Sequence, residues 1–135
     1  MRLNEFDDTI QDIQAPNTER EKIIKHFISW AAKRIKVDTD KINNIEFSYD
    51  KADAQKQHRT GSYDWHNQEM LVYVGNRNLV DILRTIAHEL QHVKQDQQNR
   101  IRVHSPPGSK LEVEADAVAG YLMKLYGKLH PEIFE

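Results

Sequence analysis

Between Asn78 and Gln98 the chain carries Leu79, Ile82, Leu83, Ile86, Leu90 and Val93, apolar positions at successive spacings of three, one, three, four and three residues. On a strand they would divide between the two faces, whereas on an α-helix they form a single stripe. A helix with one apolar stripe must bury it against other elements, so the pattern predicts a central packing helix over about 78–98. The chain has 135 residues, 39% of them hydrophobic, which suffices for one modest core and leaves little room for a second.

Other segments supply what that helix packs against. Thr18 and Glu21 have the spacing of a capping box, and Ile23, Ile24, Phe27, Trp30, Ala31 and Ile35 follow at helical spacing, which predicts a helix from Thr18 to about Val37. Ile45 to Tyr49 alternates apolar and polar residues and reads as a strand. Thr60 to Trp65 and Glu69 to Val74 read as two more, joined through His66-Asn67-Gln68 as a hairpin. Pro106-Pro107-Gly108 marks a loop, and a last helix is expected from Lys110 to Tyr126 or Gly127, with Leu111, Ala115, Val118, Leu122, Leu125 and Leu129 as its apolar stripe. The expected fold class is α+β: a small three-stranded sheet packed against three helices in one domain, residues 18–135, preceded by an irregular arm over residues 1–17.

Composition removes several function classes. No cysteine is present, so neither a disulfide framework nor a thiolate ligand or nucleophile is available. A net charge of −2 lacks the basic excess of a nucleic-acid-binding domain, and no nucleic-acid partner is expected. There is no run of 18 apolar residues and the first residues are acidic, so neither a membrane span nor a signal peptide is expected, and the expected location is cytoplasmic.

The central helix contains His88-Glu89-Leu90-Gln91-His92. Residues i and i+4 lie roughly 40° apart around a helix and about 6 Å apart along it, so the two imidazoles can converge on one ion. Glu89 flanks the same face and can act as a base without ligating the metal. Both histidines fall roughly 150° from the centre of the apolar stripe, off the face expected to form the core. An HExxH string arises by chance in roughly 3% of chains with this much His and Glu, so a second constellation is needed.

That constellation is Glu112-Val113-Glu114-Ala115-Asp116 on the last helix. Glu112 and Asp116 are one turn apart on its polar flank, whereas Glu114 is rotated by roughly 200° and is expected to face solvent or a basic side chain. Two histidines and a carboxylate from a second helix complete a three-ligand catalytic zinc site, and Asp116 can accept a hydrogen bond from a ligating histidine. Ser109-x-x-Glu112 is also a capping box, so the cap and the ligand compete for the Glu112 side chain.

HELQH followed by EVEAD resembles the gluzincin metallopeptidases, whose pattern is HExxH with a later ExxxD. The ExxAD form looks most like that of membrane-associated zinc peptidases of the CAAX-processing and heat-shock type. The two helices are also similar to those of the small soluble ImmA/IrrE-like peptidases and the minigluzincins, which are the better comparison for a chain without membrane helices. Gly61-Ser62-Tyr63-Asp64-Trp65 and Met70-Leu71-Val72-Tyr73-Val74-Gly75 look like the strand pair before the metal helix in thermolysin and in SprT-like proteases. Residues 60–127 carry the resemblance. It implies a zincin-like fold, one Zn2+ per chain on His88, His92 and Glu112, Glu89 as catalytic base, Asp116 behind the ligands, and an outer strand near Ser62, Tyr63 and Asp64 that lines the cleft and receives an extended peptide. For an oxyanion-stabilising residue, His104, Tyr63 and Tyr121 are the candidates. The expected function is a zinc metalloendopeptidase acting on a peptide or protein substrate. The alternative is a regulatory zinc protein that works through partner binding on the same scaffold, and the intact Glu89 discriminates, since a structural site does not need it. A DNA-associated protease of the SprT type lacks support from the mildly acidic charge.

Overall fold

A computed structural model describes residues 18–50, 60–101 and 109–134. The N-terminal arm, the segment 51–59 and the loop containing His104 lie outside these residues. Among the described residues the fold is α+β, with three long helices and one three-stranded mixed sheet. Helix α1 spans Thr18–Ile35, strand β1 Asn44–Ser48, β2 Gly61–Asp64, β3 Glu69–Tyr73, helix α2 Leu79–Gln97 and helix α3 Lys110–Leu129, with 3-10 turns at Thr39–Lys41 and Pro131–Phe134.

Strand β3 lies in the middle of the sheet, parallel to β1 and antiparallel to β2. The β2–β3 hairpin follows from the turn chemistry: Asp64 accepts from the His66 backbone and the Asn67 amide, and Gln68 takes a positive φ of 54°. The register sets Ile45 opposite Met70 and Phe47 opposite Val72, and all four side chains are buried. That face of the sheet meets the helices. The other edge of β2 has no strand partner among the described residues.

Helix α2 begins where Asn78 caps the Asp81 amide, and it ends in a Schellman turn. There Asn99 adopts a φ of 58° and the Arg100 amide reaches back to the Gln95 carbonyl. α1 closes in the same way, with Lys36 at φ 63° and the Val37 amide on Ala32. Lys94 from α2 donates to the Ile35 carbonyl, joining the ends of the two helices. Ile82, Leu83, Ile86, Leu90 and Val93 fill the core as their periodicity requires. Phe27, Ile28, Ala31 and Ala32 of α1 pack with them, and Phe27 and Trp30 close around Tyr126 of α3.

Two expectations need correction. The stripe of α3 is rotated: its buried residues are Ala115, Ala119, Leu122, Met123, Tyr126 and Gly127, while Leu129 is 56% exposed. Small side chains at 115 and 119 let α3 approach α2 closely, and that close approach rather than raw hydrophobicity chooses the buried face. α2 is also buried beyond its apolar stripe, since Thr85, Glu89, Gln91, His92 and Gln95 are all enclosed. It is a central helix between the sheet and α3, so its polar flank is also an interface.

Candidate metal centre

His88, His92 and Glu112 come together between α2 and α3 as a group able to hold a metal ion. The two Nε2 atoms are 3.2 Å apart. Glu112 straddles them, with Oε2 at 3.1 Å from His88 Nε2 and Oε1 at 2.9 Å from His92 Nε2. Ligands held about 2.0–2.2 Å from one tetrahedral ion are separated by about 3.3 Å, so the donors are already spaced as metal ligands are.

The protons on the two imidazoles follow from their outer partners. His88 Nδ1 lies 2.9 Å from Asp116 Oδ1, and a carboxylate only accepts, so Nδ1 carries the hydrogen. His92 Nδ1 lies 2.7 Å from Gln95 Oε1. The Gln95 amide nitrogen donates to the Leu111 carbonyl and to Glu114 Oε1, which fixes its oxygen toward His92 and makes His92 Nδ1 a donor as well. In the neutral imidazoles both Nε2 atoms therefore present lone pairs, to each other and to a carboxylate. Such a cluster of acceptors has no internal hydrogen to share and calls for a cation. The chemistry of the donor set thus fits a metal ion.

Ser109 caps the Glu112 amide through its hydroxyl, while the Glu112 side chain turns to the histidines. The competition between cap and ligand is resolved by division: the backbone takes the cap and the carboxylate serves the site. Glu114 points elsewhere and receives both guanidinium nitrogens of Arg100 at 2.8 and 2.9 Å. That bidentate pair, joined by the Gln95 and Gln91 amides, holds the Glu114 carboxyl down at about 2. Glu114 thereby steadies Gln95, and Gln95 in turn orients His92. Gln95 was not legible as a site residue. A glutamine three positions beyond a histidine reads as ordinary helix, and its role depends on where Leu111 and Glu114 of α3 fall.

Beside the metal group lies an open cleft of about 470 Å3 lined by Thr60, Gly61, Arg84, Thr85, His88, Glu89, Asp116 and Ala119. Glu89 is only 6% exposed and faces it from the α2 wall. Gly61 is required here, because a Cβ on it would stand 2.6 Å from Thr85 Cγ2 and 3.5 Å from Glu89 Cγ. Arg77 donates to the Tyr73 and Asp81 carbonyls and to Thr85 Oγ1, locking the start of α2 against the end of β3. Thr85 passes the contact on to the Thr60 hydroxyl at 3.2 Å.

The remaining candidates take other places. Thr60 and Gly61, at the start of the outer strand, form the cleft wall, whereas Ser62, Tyr63 and Asp64 are not among its lining residues. The Tyr63 hydroxyl donates to Asp96 Oδ2 at 2.6 Å, and burial together with that carboxylate raises its pKa. The phenol is therefore a neutral strut between β2 and the last turn of α2. Asp64 is engaged in its turn, and Tyr121 accepts from Arg34 outside the cleft. His104 falls outside the described residues. Among the described residues no helix is long and apolar enough to cross a membrane. No family model, curated protein or solved structure matches this chain.

Proposed function

We propose that the protein is a zinc-dependent metallopeptidase of the gluzincin type, built on a zincin-like domain. The observation that carries the reading is the convergence of two imidazole lone pairs and one carboxylate beside an open cleft that also holds Glu89. Two imidazoles and a carboxylate, with a position left for water or substrate, are a donor set of catalytic zinc. Ions such as calcium and magnesium prefer oxygen ligands. When bound, zinc polarises a carbonyl oxygen and lowers the pKa of a coordinated water toward 7.

The side chains of this chain do the rest. Asp116 and Gln95 keep the Nδ1 hydrogens of His88 and His92 turned outward, so that both Nε2 atoms stay available. Glu89 sits between the two histidines in sequence and lines the cleft. Its carboxylate takes a proton from the attacking water and returns it to the leaving amine. An extended peptide substrate adds along the outer edge of β2 by backbone hydrogen bonds, a reading supported by Thr60 and Gly61 at the start of that strand lining the cleft. The test is Glu89→Gln in zinc-loaded protein, assayed on a degenerate peptide mixture by mass spectrometry. Cleavage present in the wild type should vanish in the variant at unchanged zinc content. Cleavage at the wild-type rate by Glu89→Gln would remove Glu89 from the chemistry.

A further inference from the structure

Five arginines lie among the described residues, and four of them are bonded. Arg20 donates to the Arg77 carbonyl, Arg34 to Tyr121, Arg77 to Tyr73, Asp81 and Thr85, and Arg100 to Glu114. Arg84 is exposed, lines the cleft and makes no hydrogen bond or ion pair among the described residues. The anionic groups nearby do not claim it: Glu112 is on the histidines and Asp116 is on His88. Asp81, three residues earlier on the same helix, lies beyond ion-pair distance.

The remainder of the lining narrows what the cleft can recognise. Among the described residues it includes Thr60, Gly61, Thr85 and Ala119 and no large apolar side chain. Discrimination by burial of a bulky hydrophobic residue therefore has little surface to work with, whereas an unpaired guanidinium presents a planar fork matched to a carboxylate. Arg84 sits one helical turn before His88, about 6 Å along α2. An extended peptide rises about 3.3 Å per residue, so that distance corresponds to roughly two residues from the point of cleavage.

We propose that Arg84 is a specificity-determining residue that selects peptides bearing a carboxylate within about two residues of the scissile bond. The carboxylate is either an acidic side chain or a free C-terminus. The proposal rests on the peptidase reading for its position and on the unpaired guanidinium for its chemistry.

The experiment compares zinc-loaded wild type, Arg84→Gln, Arg84→Lys and Arg84→Glu on matched peptide libraries. One pair of libraries exchanges Asp and Glu for Asn and Gln, and a second pair exchanges free for amidated C-termini. Wild type should cleave the carboxylate members about tenfold faster in kcat/KM. The ratio should fall to about one in Arg84→Gln, persist in Arg84→Lys and shift toward lysine-containing peptides in Arg84→Glu. The library pair that shows the effect identifies the source of the carboxylate. Cleavage without a carboxylate preference, or a preference that survives Arg84→Gln, overturns the proposal. The same libraries are also titrated against zinc-loaded Glu89→Gln, with and without Arg84→Gln, which separates the two readings. If wild type cleaves nothing, the peptidase reading fails. Tighter binding of carboxylate members that depends on Arg84 then still upholds the assignment, and equal or undetectable affinities overturn it.

Discussion

Gln95 is fully buried, at 0% exposure, and makes three hydrogen bonds: one to His92 within α2, and two that join α2 to Leu111 and Glu114 of α3. Gln95→Leu keeps the volume roughly constant and removes all three. Each such bond contributes about 1 kcal/mol net. The Leu111 carbonyl retains its place in the helix ladder, so His92 Nδ1 is the group left without an acceptor. Together these changes should lower stability by about 2–4 kcal/mol. With its outer acceptor gone, His92 loses both tautomer and ring orientation, and metal affinity should fall by about 10- to 100-fold. Gln95→Glu separates the two effects. Its carboxylate still accepts from His92 Nδ1, so metal affinity should stay within about threefold of wild type or rise. That same carboxylate faces Glu114 Oε1 and the Leu111 carbonyl, where the amide donated, so stability should still fall. Chelator-competition titration reads the affinity, and thermal denaturation of metal-free protein reads the stability. A Gln95→Leu variant with wild-type affinity, or a Gln95→Glu variant as weak as Gln95→Leu, would refute the orienting role.

Asp116 accepts from His88 Nδ1 with a side chain that is 75% exposed, so Asp116→Asn should weaken metal binding toward the lower end of the same range, about tenfold, by the same titration. Glu114 should contribute to acid stability. Its folded pKa, about 2, lies below the unfolded value near 4.5, so its contribution is present above pH 4.5 and is lost as pH falls through about 2. Discounted for partial exposure, Glu114→Gln should cost about 1–2 kcal/mol at pH 6, measured by urea unfolding with chelator present, and the difference from wild type should shrink toward pH 2.

Much of the site could be read from spacing because it lies within single helices. HELQH fixes two imidazoles one turn apart, and Glu112 and Asp116 share a flank by the same geometry. The register that sets Glu114 apart from them is equally a property of one helix, and Arg100 supplies its partner. What was not legible depends on how elements meet. The burial of His92, at 9% exposure, follows from α3 closing over α2, and the apolar stripe alone pointed His92 away from the core. Ala115 and Ala119 outrank Leu125 and Leu129 at that interface because they are small, a criterion that hydrophobic periodicity does not weigh. Parallel pairing of β1 with β3 is likewise a matter of tertiary arrangement, since alternation within a strand does not name its neighbour.

The central claim is that His88, His92 and Glu112 form a metal centre. Its most direct test is the metal content of the purified protein, measured by elemental analysis after zinc is supplied and unbound metal is removed by dialysis. One equivalent of zinc per chain is the predicted result. Far less than one equivalent, with the protein folded and zinc resupplied, would contradict the account.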